Sequence, residues 1–173
     1  MSLIACFKSI GVVEEGLDRL GEQGAKKSRF EVVSVIRVFE EFVEGLDGLE
    51  EYSHIIVVYW MHKADRAVLK ARPWGVERYP LVGIFATRSP HRPNPIGITV
   101  AELVSIEKPI IRVRGLDALT GTPVLDIKPY DYYDTIKSPR APWWFKDKWS
   151  EWKRKWGYEK VAPWLGPCVE DST

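Results

Sequence analysis

The stretch GITVAELVSIEKPIIRVRGLDALTGTPVLDIKPY, residues 97–130, decides how this chain folds. Three runs rich in Val, Ile and Leu follow one another, separated by Lys108-Pro109 and by the turn LTGTP at 119–123. Proline and glycine at those places end strands. No gap holds the long crossover helix that a parallel pair requires, so neighbouring strands must run antiparallel. Upstream, YSHIIVVYW (52–60) is almost continuously apolar and reads as the most buried strand, while LIACFKSIGVV (3–13), FEVVSVIRV (30–38) and LVGIFAT (81–87) read as further strands. Short strands at this spacing predict a mainly β fold, a small antiparallel β-barrel, with a short helical extension at the C-terminus.

Two segments interrupt the pattern. HKADRAVLKARPWGVERYP (62–80) is charged and broken by proline, which predicts a long loop with a short helix at 64–70. Beyond Ser138 the composition changes abruptly, and six of the eight tryptophans lie between Pro139 and Pro167. The expected division is a barrel domain at 1–136 and a tryptophan-rich basic extension at 137–173.

With 173 residues the chain is long enough to bury its own core. A formal net charge of +1 gives no global attraction to nucleic acid or to an anionic membrane, so any basic surface has to be local. Cys6 and Cys168 are too few for a disulfide framework and are wrongly spaced for zinc, which fits a reducing cytoplasm. No run reaches the roughly 18 apolar residues of a membrane span, and the N-terminus lacks the pattern of a signal peptide. The expectation is a soluble cytoplasmic protein.

Three constellations carry chemistry. In IFATRSPHRPNPIG (84–97), Pro90, Pro93 and Pro95 fix φ and hold Arg88, Arg92 and Asn94 with little freedom left to lose on binding. Guanidiniums held this way suit a carboxylate or phosphate; the plain alternative is a rigid corner whose arginines pair with nearby acids. In VLDIKPY (124–130), strict alternation places Val124, Asp126 and Lys128 on one face and Leu125 and Ile127 on the other. Asp126 is then a candidate acid, base or acceptor if that face lines a cleft, and half of a surface ion pair if it faces water. Tyr130, Tyr132 and Tyr133 add aromatic faces that could stack on a base or cap the barrel. In the tail, residues 137–160 hold eight Lys or Arg against three Asp or Glu, a local net of +5. Trp149, Trp152 and Trp156 recur at helical i, i+3, i+7 spacing, a stripe that would dock the helix on the barrel or on a second subunit, with Lys153, Arg154 and Lys155 beside it for phosphate contact. His54, His62 and His91 fall at no metal-ligand spacing.

Taken together, GLEEYSHIIVVYWMH, GIFATRSPHRPNPIG and GLDALTGTPVLDIKPY resemble the TsaA/TrmO-like family of S-adenosyl-L-methionine-dependent tRNA methyltransferases, over about Ile10 to Tyr133. The resemblance implies a small β-barrel, usually a homodimer, that binds S-adenosylmethionine in a crevice built by these motifs. It implies N6-methylation of N6-threonylcarbamoyladenosine, the modified base just 3′ of the tRNA anticodon. Arg88 matches the family's cofactor-contacting arginine, and Met61, His62, Ile98, Val124, Leu125, Asp126 and Ile127 fall where the family lines its cofactor crevice. The chain departs from the pattern after Gly11, where VVEEGLDR replaces the Arg-Ser-Pro stretch of many members. It also carries the tryptophan-rich tail in place of the larger C-terminal domain of bacterial members.

The implied chemistry makes a demand. The acceptor nitrogen bears one hydrogen and a lone pair delocalised into ring and carbonyl, so it must lose a proton as it attacks the methyl group. Asp126 or Tyr130 could accept that proton, and Asn94 could orient the carbamoyl group. Arg92 and Lys128 are candidates for substrate contact, and no metal is required. The rival readings are a non-catalytic barrel that binds S-adenosylmethionine or RNA, and a methyltransferase with another acceptor.

Overall fold

The structure is a computed structural model, and it describes residues 3–18, 28–136 and 139–157. Six strands close into a barrel in which every neighbouring pair is antiparallel: β1 (Gly11–Glu15), β2 (Val33–Val38), β3 (His54–Trp60), β6 (Ile96–Glu107), β7 (Ile110–Arg114) and β8 (Pro123–Pro129). Their order around the barrel is β1-β2-β7-β6-β3-β8. A two-stranded ribbon, β4 (Lys70–Ala71) with β5 (Val82–Gly83), stands outside it, and α1 (Trp143–Trp156) follows.

Two devices close the barrel. The twelve-residue β6 serves two partners: Ile96–Glu102 pairs with β3 and Glu102–Glu107 with β7, with a register shift between Leu103 and Ser105. Such a bulge bends the strand at a corner. On the other side Gly11 pairs with both Val38 and Val124, so β1 joins β2 to β8. A Cβ on Gly11 would stand 2.4 Å from the Arg37 carbonyl oxygen, so only glycine admits that approach.

Alternation fills the interior. Val13, Ile36, Ile55, Val57, Ile111, Val113 and Val124 are fully buried, as period-2 strands with one apolar face require. Along β6 the inward positions are small, Gly97, Thr99 and Ala101, and they leave room for Tyr59, which pairs with Gly97. The Tyr59 hydroxyl donates to the Asp117 carbonyl oxygen (2.7 Å) and lies 3.1 Å from Thr99 Oγ1. Burial pushes its pKa up to about 12, so it stays neutral and acts as a fixed bolt.

The structure corrects three sequence expectations. The run at 64–70 forms no helix: Val68 N donates to the His91 carbonyl oxygen (3.1 Å) and Ile84 N to the Leu69 carbonyl oxygen (2.9 Å), so its backbone bonds go to distant segments instead of to its own turn. The strand read at 81–87 shortens to Val82–Gly83 before a 3-10 turn at Ile84–Ala86. The strand read at 3–13 starts only at Gly11, and Leu3, Ile4 and Phe7 before it are exposed.

α1 docks on the ribbon rather than on the barrel strands. Trp74, from the turn between β4 and β5, meets the rings of Trp144 (5.7 Å between centroids) and Trp152 (5.4 Å), and Trp149 stacks on Phe145. Buried Tyr79 donates its hydroxyl to Asp147 (2.7 Å), and Arg78 reaches the same carboxylate at 2.8 Å. Those two donors, the tyrosine first, hold the Asp147 carboxyl below the usual carboxylate range. No helix among the described residues is long and apolar enough to cross a membrane.

Candidate functional site

Most of the motif residues collect on the outside of the barrel, around β3 and its two neighbours, whereas Val124 and Ile127 face the core. Val58 of β3 pairs with Ile98 of β6 on one side and with Asp126 of β8 on the other, and all three side chains point outward. With strands about 4.8 Å apart, Ile98 and Asp126 stand about 10 Å from each other across this row. Trp60, Ile96 and Ile98 are 47%, 38% and 54% exposed, which makes the β3–β6 side unusually apolar for a solvent face.

β8 reaches this surface through a bulge. Tyr59 pairs with Val124, yet the preceding Val58 pairs with Asp126, so Leu125 is an extra residue in the ladder. The insertion overturns the alternation read from sequence. Val124 and Ile127 pack on the core, while Asp126 and Lys128 share the outer face without Val124. There Lys128 Nζ meets Asp126 Oδ2 at 2.7 Å, and Asp126 Oδ1 accepts from Ile127 N at 2.9 Å. The hydrogen bond and charge of Asp126 raise the Lys128 pKa.

The proline loop reaches β6 beside the end of β3. Met61 N donates to the Pro95 carbonyl oxygen (2.7 Å), which ties the end of β3 to that loop, and half-buried His62 stands edge-on to Trp60 at 6.3 Å. Arg88 is exposed and acts electrostatically on the Tyr59 hydroxyl. Arg92 is half-buried and donates from Nη1 to the Thr87 carbonyl oxygen (3.2 Å). Neither arginine has a carboxylate oxygen within 4.0 Å among the described residues, so the plain alternative of a salt-bridged corner does not describe this loop.

Two concavities flank β3. One of about 350 Å³ is lined by Phe85, Arg92, Pro93, Asn94, Ile96 and Ile98. The other, about 650 Å³, lies between the 3-10 turns before β3 and the barrel, with Phe42, Leu46, Tyr52, Asp126 and Ile127 in its wall. The structure thus groups Arg92, Asn94 and Ile98 in one hollow and Asp126 and Ile127 in the other. Tyr130 lies beyond Asp126, with its ring 6.3 Å from that of His54.

The motifs therefore converge on one face in three dimensions, and comparison with known proteins agrees over the same span. Residues 22–135 match the model of the tRNA-methyltransferase O N-terminal domain. The chain belongs to this family. A relative from Methanothermobacter thermautotrophicus, named a probable S-adenosyl-L-methionine-binding protein, is 44% identical over 76% of this chain and 93% of its own length. The human tRNA (adenine(37)-N6)-methyltransferase is 44% identical over 61% of this chain, which spans 24% of that protein. A crystal structure of TrmO from Pseudomonas aeruginosa aligns with a TM-score of 0.63 at 30% identity, covering 80% of this chain and 62% of its own.

Within the TrmO domain, two exposed aromatic residues escaped the sequence reading. Phe85 is 77% exposed, and Trp60 ends a strand expected to be the most buried. For Trp60 the signal was present, since alternation along β3 places it outward once Ile55, Val57 and Tyr59 are inward. For Phe85 the signal was absent, because its direction depends on the 3-10 turn. In the tail, the last turn of α1 carries Lys153, Arg154 and Lys155, with Arg154 and Lys155 exposed and Lys155 over the Trp156 ring at 4.3 Å.

Proposed function

We propose that this chain binds S-adenosylmethionine on the outer face of β3, β6 and β8 and transfers its methyl group to tRNA, at N6 of threonylcarbamoyladenosine beside the anticodon. The observation that carries the reading is that Arg88 and Arg92 meet no carboxylate among the described residues, with Arg92 set beside an exposed apolar row. Several relatives named for S-adenosylmethionine binding, and one named for methylating adenine 37 of tRNA, supply the chemistry.

When bound, the cofactor supplies an electrophilic methyl group on a sulfonium. The chain supplies positions for the rest. Arg88 takes the cofactor's carboxylate; Met61, His62, Ile98 and the bulge Val124–Ile127 give apolar wall and backbone groups. Asn94 orients the acceptor's carbamoyl group, Arg92 and Lys128 hold the substrate, and Asp126 or Tyr130 receives the proton. Asp126 and Asn94 lie on opposite sides of β3, so substrate and cofactor must bridge the Ile98–Val58–Asp126 row for both residues to act. The exposed Trp60 at the edge of this row suits the contact of a homodimer placed next to the site, in the cytoplasm where tRNA is found.

Arg88→Ala should weaken S-adenosylmethionine binding by about 1.5 to 3 kcal/mol, roughly ten- to a hundred-fold, with the unfolding temperature unchanged. Calorimetry showing equal affinity for the variant and the parent would remove Arg88 from the cofactor site. The extension at 137–173 is proposed to hold tRNA phosphate. Neutralising Lys153, Arg154 and Lys155 together should flatten the salt dependence of tRNA binding, by up to about one unit of slope for each phosphate released, and leave cofactor affinity in place. An unchanged salt slope would make the tail a brace only.

A further inference from the structure

Phe85 is an exposed aromatic presented with little freedom. Ile84, beside it, is 1% exposed and points into the fold, which turns Phe85 outward from the 3-10 turn Ile84–Ala86. That turn is locked twice, because Thr87 N (3.0 Å) and Thr87 Oγ1 (2.8 Å) both donate to the Ile84 carbonyl oxygen. The same Thr87 accepts, through its own carbonyl oxygen, from Arg92 Nη1. One short chain of hydrogen bonds therefore sets the positions of Phe85 and Arg92 together.

Between them lies the hollow of about 350 Å³, within the roughly 300–1,000 Å³ of small-molecule sites. Its chemistry is uneven in a useful way. Phe85, Ile96 and Ile98 offer a flat apolar wall, Asn94 offers an amide donor and acceptor, and Arg92 offers a guanidinium anchored through Nη1 on Thr87. The bonds Arg92 N to the Pro90 carbonyl oxygen and Ile96 N to the Asn94 carbonyl oxygen, both 2.8 Å, stiffen the rim.

We propose that this hollow holds the acceptor base, an N6-substituted adenine whose substituent ends in a carboxylate. Phe85 stacks on the purine and Arg92 grips the carboxylate, so that Arg92 sets the specificity for an acidic substituent. The assignment rests on the methyl-transfer reading above and gives Phe85 a substrate contact. A planar base suits an aromatic face whatever its edge pattern. A guanidinium with no acid in reach among the described residues suits a carboxylate brought by the ligand, and it discriminates strongly against the neutral amide, which cannot supply the charge. A backbone phosphate could engage the same guanidinium, and the test separates the two.

The experiment uses anticodon stem-loops that carry N6-threonylcarbamoyladenosine, its threonyl carboxamide, or plain adenosine, with the full chain and S-adenosylmethionine present. Binding is read by fluorescence anisotropy, and methyl transfer is read separately. The parent should bind the acid roughly ten- to a hundred-fold more tightly than the carboxamide. Arg92→Gln should erase that preference and leave carboxamide binding near its parent value, while Arg92→Lys restores part of it. Phe85→Ala should weaken all modified stem-loops alike by roughly ten-fold or more, and Phe85→Trp should not. Cofactor affinity should hold in every variant.

Equal binding of acid and carboxamide by the parent would overturn the assignment. So would Arg92→Gln losing affinity for all stem-loops equally, which is the signature of a phosphate contact. Phe85→Ala changing the oligomeric state without changing stem-loop affinity would place Phe85 in a subunit contact instead. If the acid preference and its loss in Arg92→Gln stand while the parent transfers no methyl group, the pocket holds and the methyl-transfer reading fails.

Discussion

Gly97→Ala is expected to destabilise the barrel by about 3 kcal/mol, which lowers the unfolding temperature by roughly 6–12 °C in a chain of this size. A Cβ built on Gly97 stands 2.2 Å from the Tyr59 ring. That ring has nowhere to go, because its hydroxyl is held by the Asp117 carbonyl oxygen and Thr99 while its body lies in the core. The backbone of β6 cannot retreat either, since Gly97 is paired with Tyr59 inside the sheet. Shortening the partner should relieve the clash, so Gly97→Ala combined with Tyr59→Val should lose much less than the two single losses added together. Thermal unfolding of the four proteins measures this. A Gly97→Ala variant within about 0.5 kcal/mol of the parent, the range of an ordinary surface substitution, would show that the Tyr59 ring does not pack there.

Trp144→Ala is expected to remove about 3 to 5 kcal/mol from the docking of α1, and to do so without loosening the barrel. Trp144 is the one buried residue of the helix and meets Trp74, the residue on which Trp152 also closes. The other ring contacts of α1 with the ribbon use less buried side chains, Phe145 and Trp152 on Trp74 and Trp143 on Tyr79, and the polar fastenings are Asp147 and Glu151 around Arg78, at 2.8 and 3.7 Å, and the Tyr79 hydroxyl on Asp147. Exposed ion pairs contribute little, so most of the docking is lost with the one buried ring. Amide exchange should show α1 losing protection while β3 and β6 keep theirs. Equal protection of α1 in variant and parent would mean that the helix is held by something other than the Trp74 cluster. Because the Asp147 carboxyl titrates low, its part of the docking is complete above the ordinary carboxylate range and is lost as the pH falls through the lowered value.

The barrel was legible because its information is local: the runs around Ile36 and Val57 are short and rich in β-branched residues, and those around Thr99 and Val113 are bounded by Pro95, Pro109 and Gly115. The face of Asp126 was not legible. Period 2 assumes that no residue is inserted, and a single extra residue at Leu125 moves Ile127 to the core side. Nothing in the letters VLDIK marks that insertion; it is fixed by pairing with β3, some 68 residues earlier. The non-helical backbone around Val68 has the same cause, since it is held by a bond to His91 rather than by its neighbours. The stripe of Trp149, Trp152 and Trp156 announced a docked helix, whereas its seat on Trp74 and Tyr79 is a contact between distant segments that composition cannot show.

For the arginines, sequence supplied the candidates and left both readings open. Only the arrangement in space could tell whether Arg88 and Arg92 are neutralised by the fold. Among the described residues no carboxylate reaches them, although the chain carries as many as 24 acidic residues in all. Elsewhere on the barrel Arg114 pairs with Glu102 and Arg37 with Glu14. A loop whose arginines meet no carboxylate among the described residues, and whose Arg92 shares a hollow with exposed Ile96 and Ile98, is arranged for a ligand that brings its own negative charge and a flat apolar body.

Methyl transfer itself is tested most directly by following tritium from methyl-labelled S-adenosylmethionine to tRNA, compared between tRNA that carries the threonylcarbamoyl group and the same tRNA without it. Label is expected in the modified tRNA alone, recovered in the N6-methylated base on digestion, with none in the unmodified control. No label in either tRNA, with the cofactor bound, would make the chain a binding module, and equal label in both would give it another acceptor; either result contradicts the proposed function.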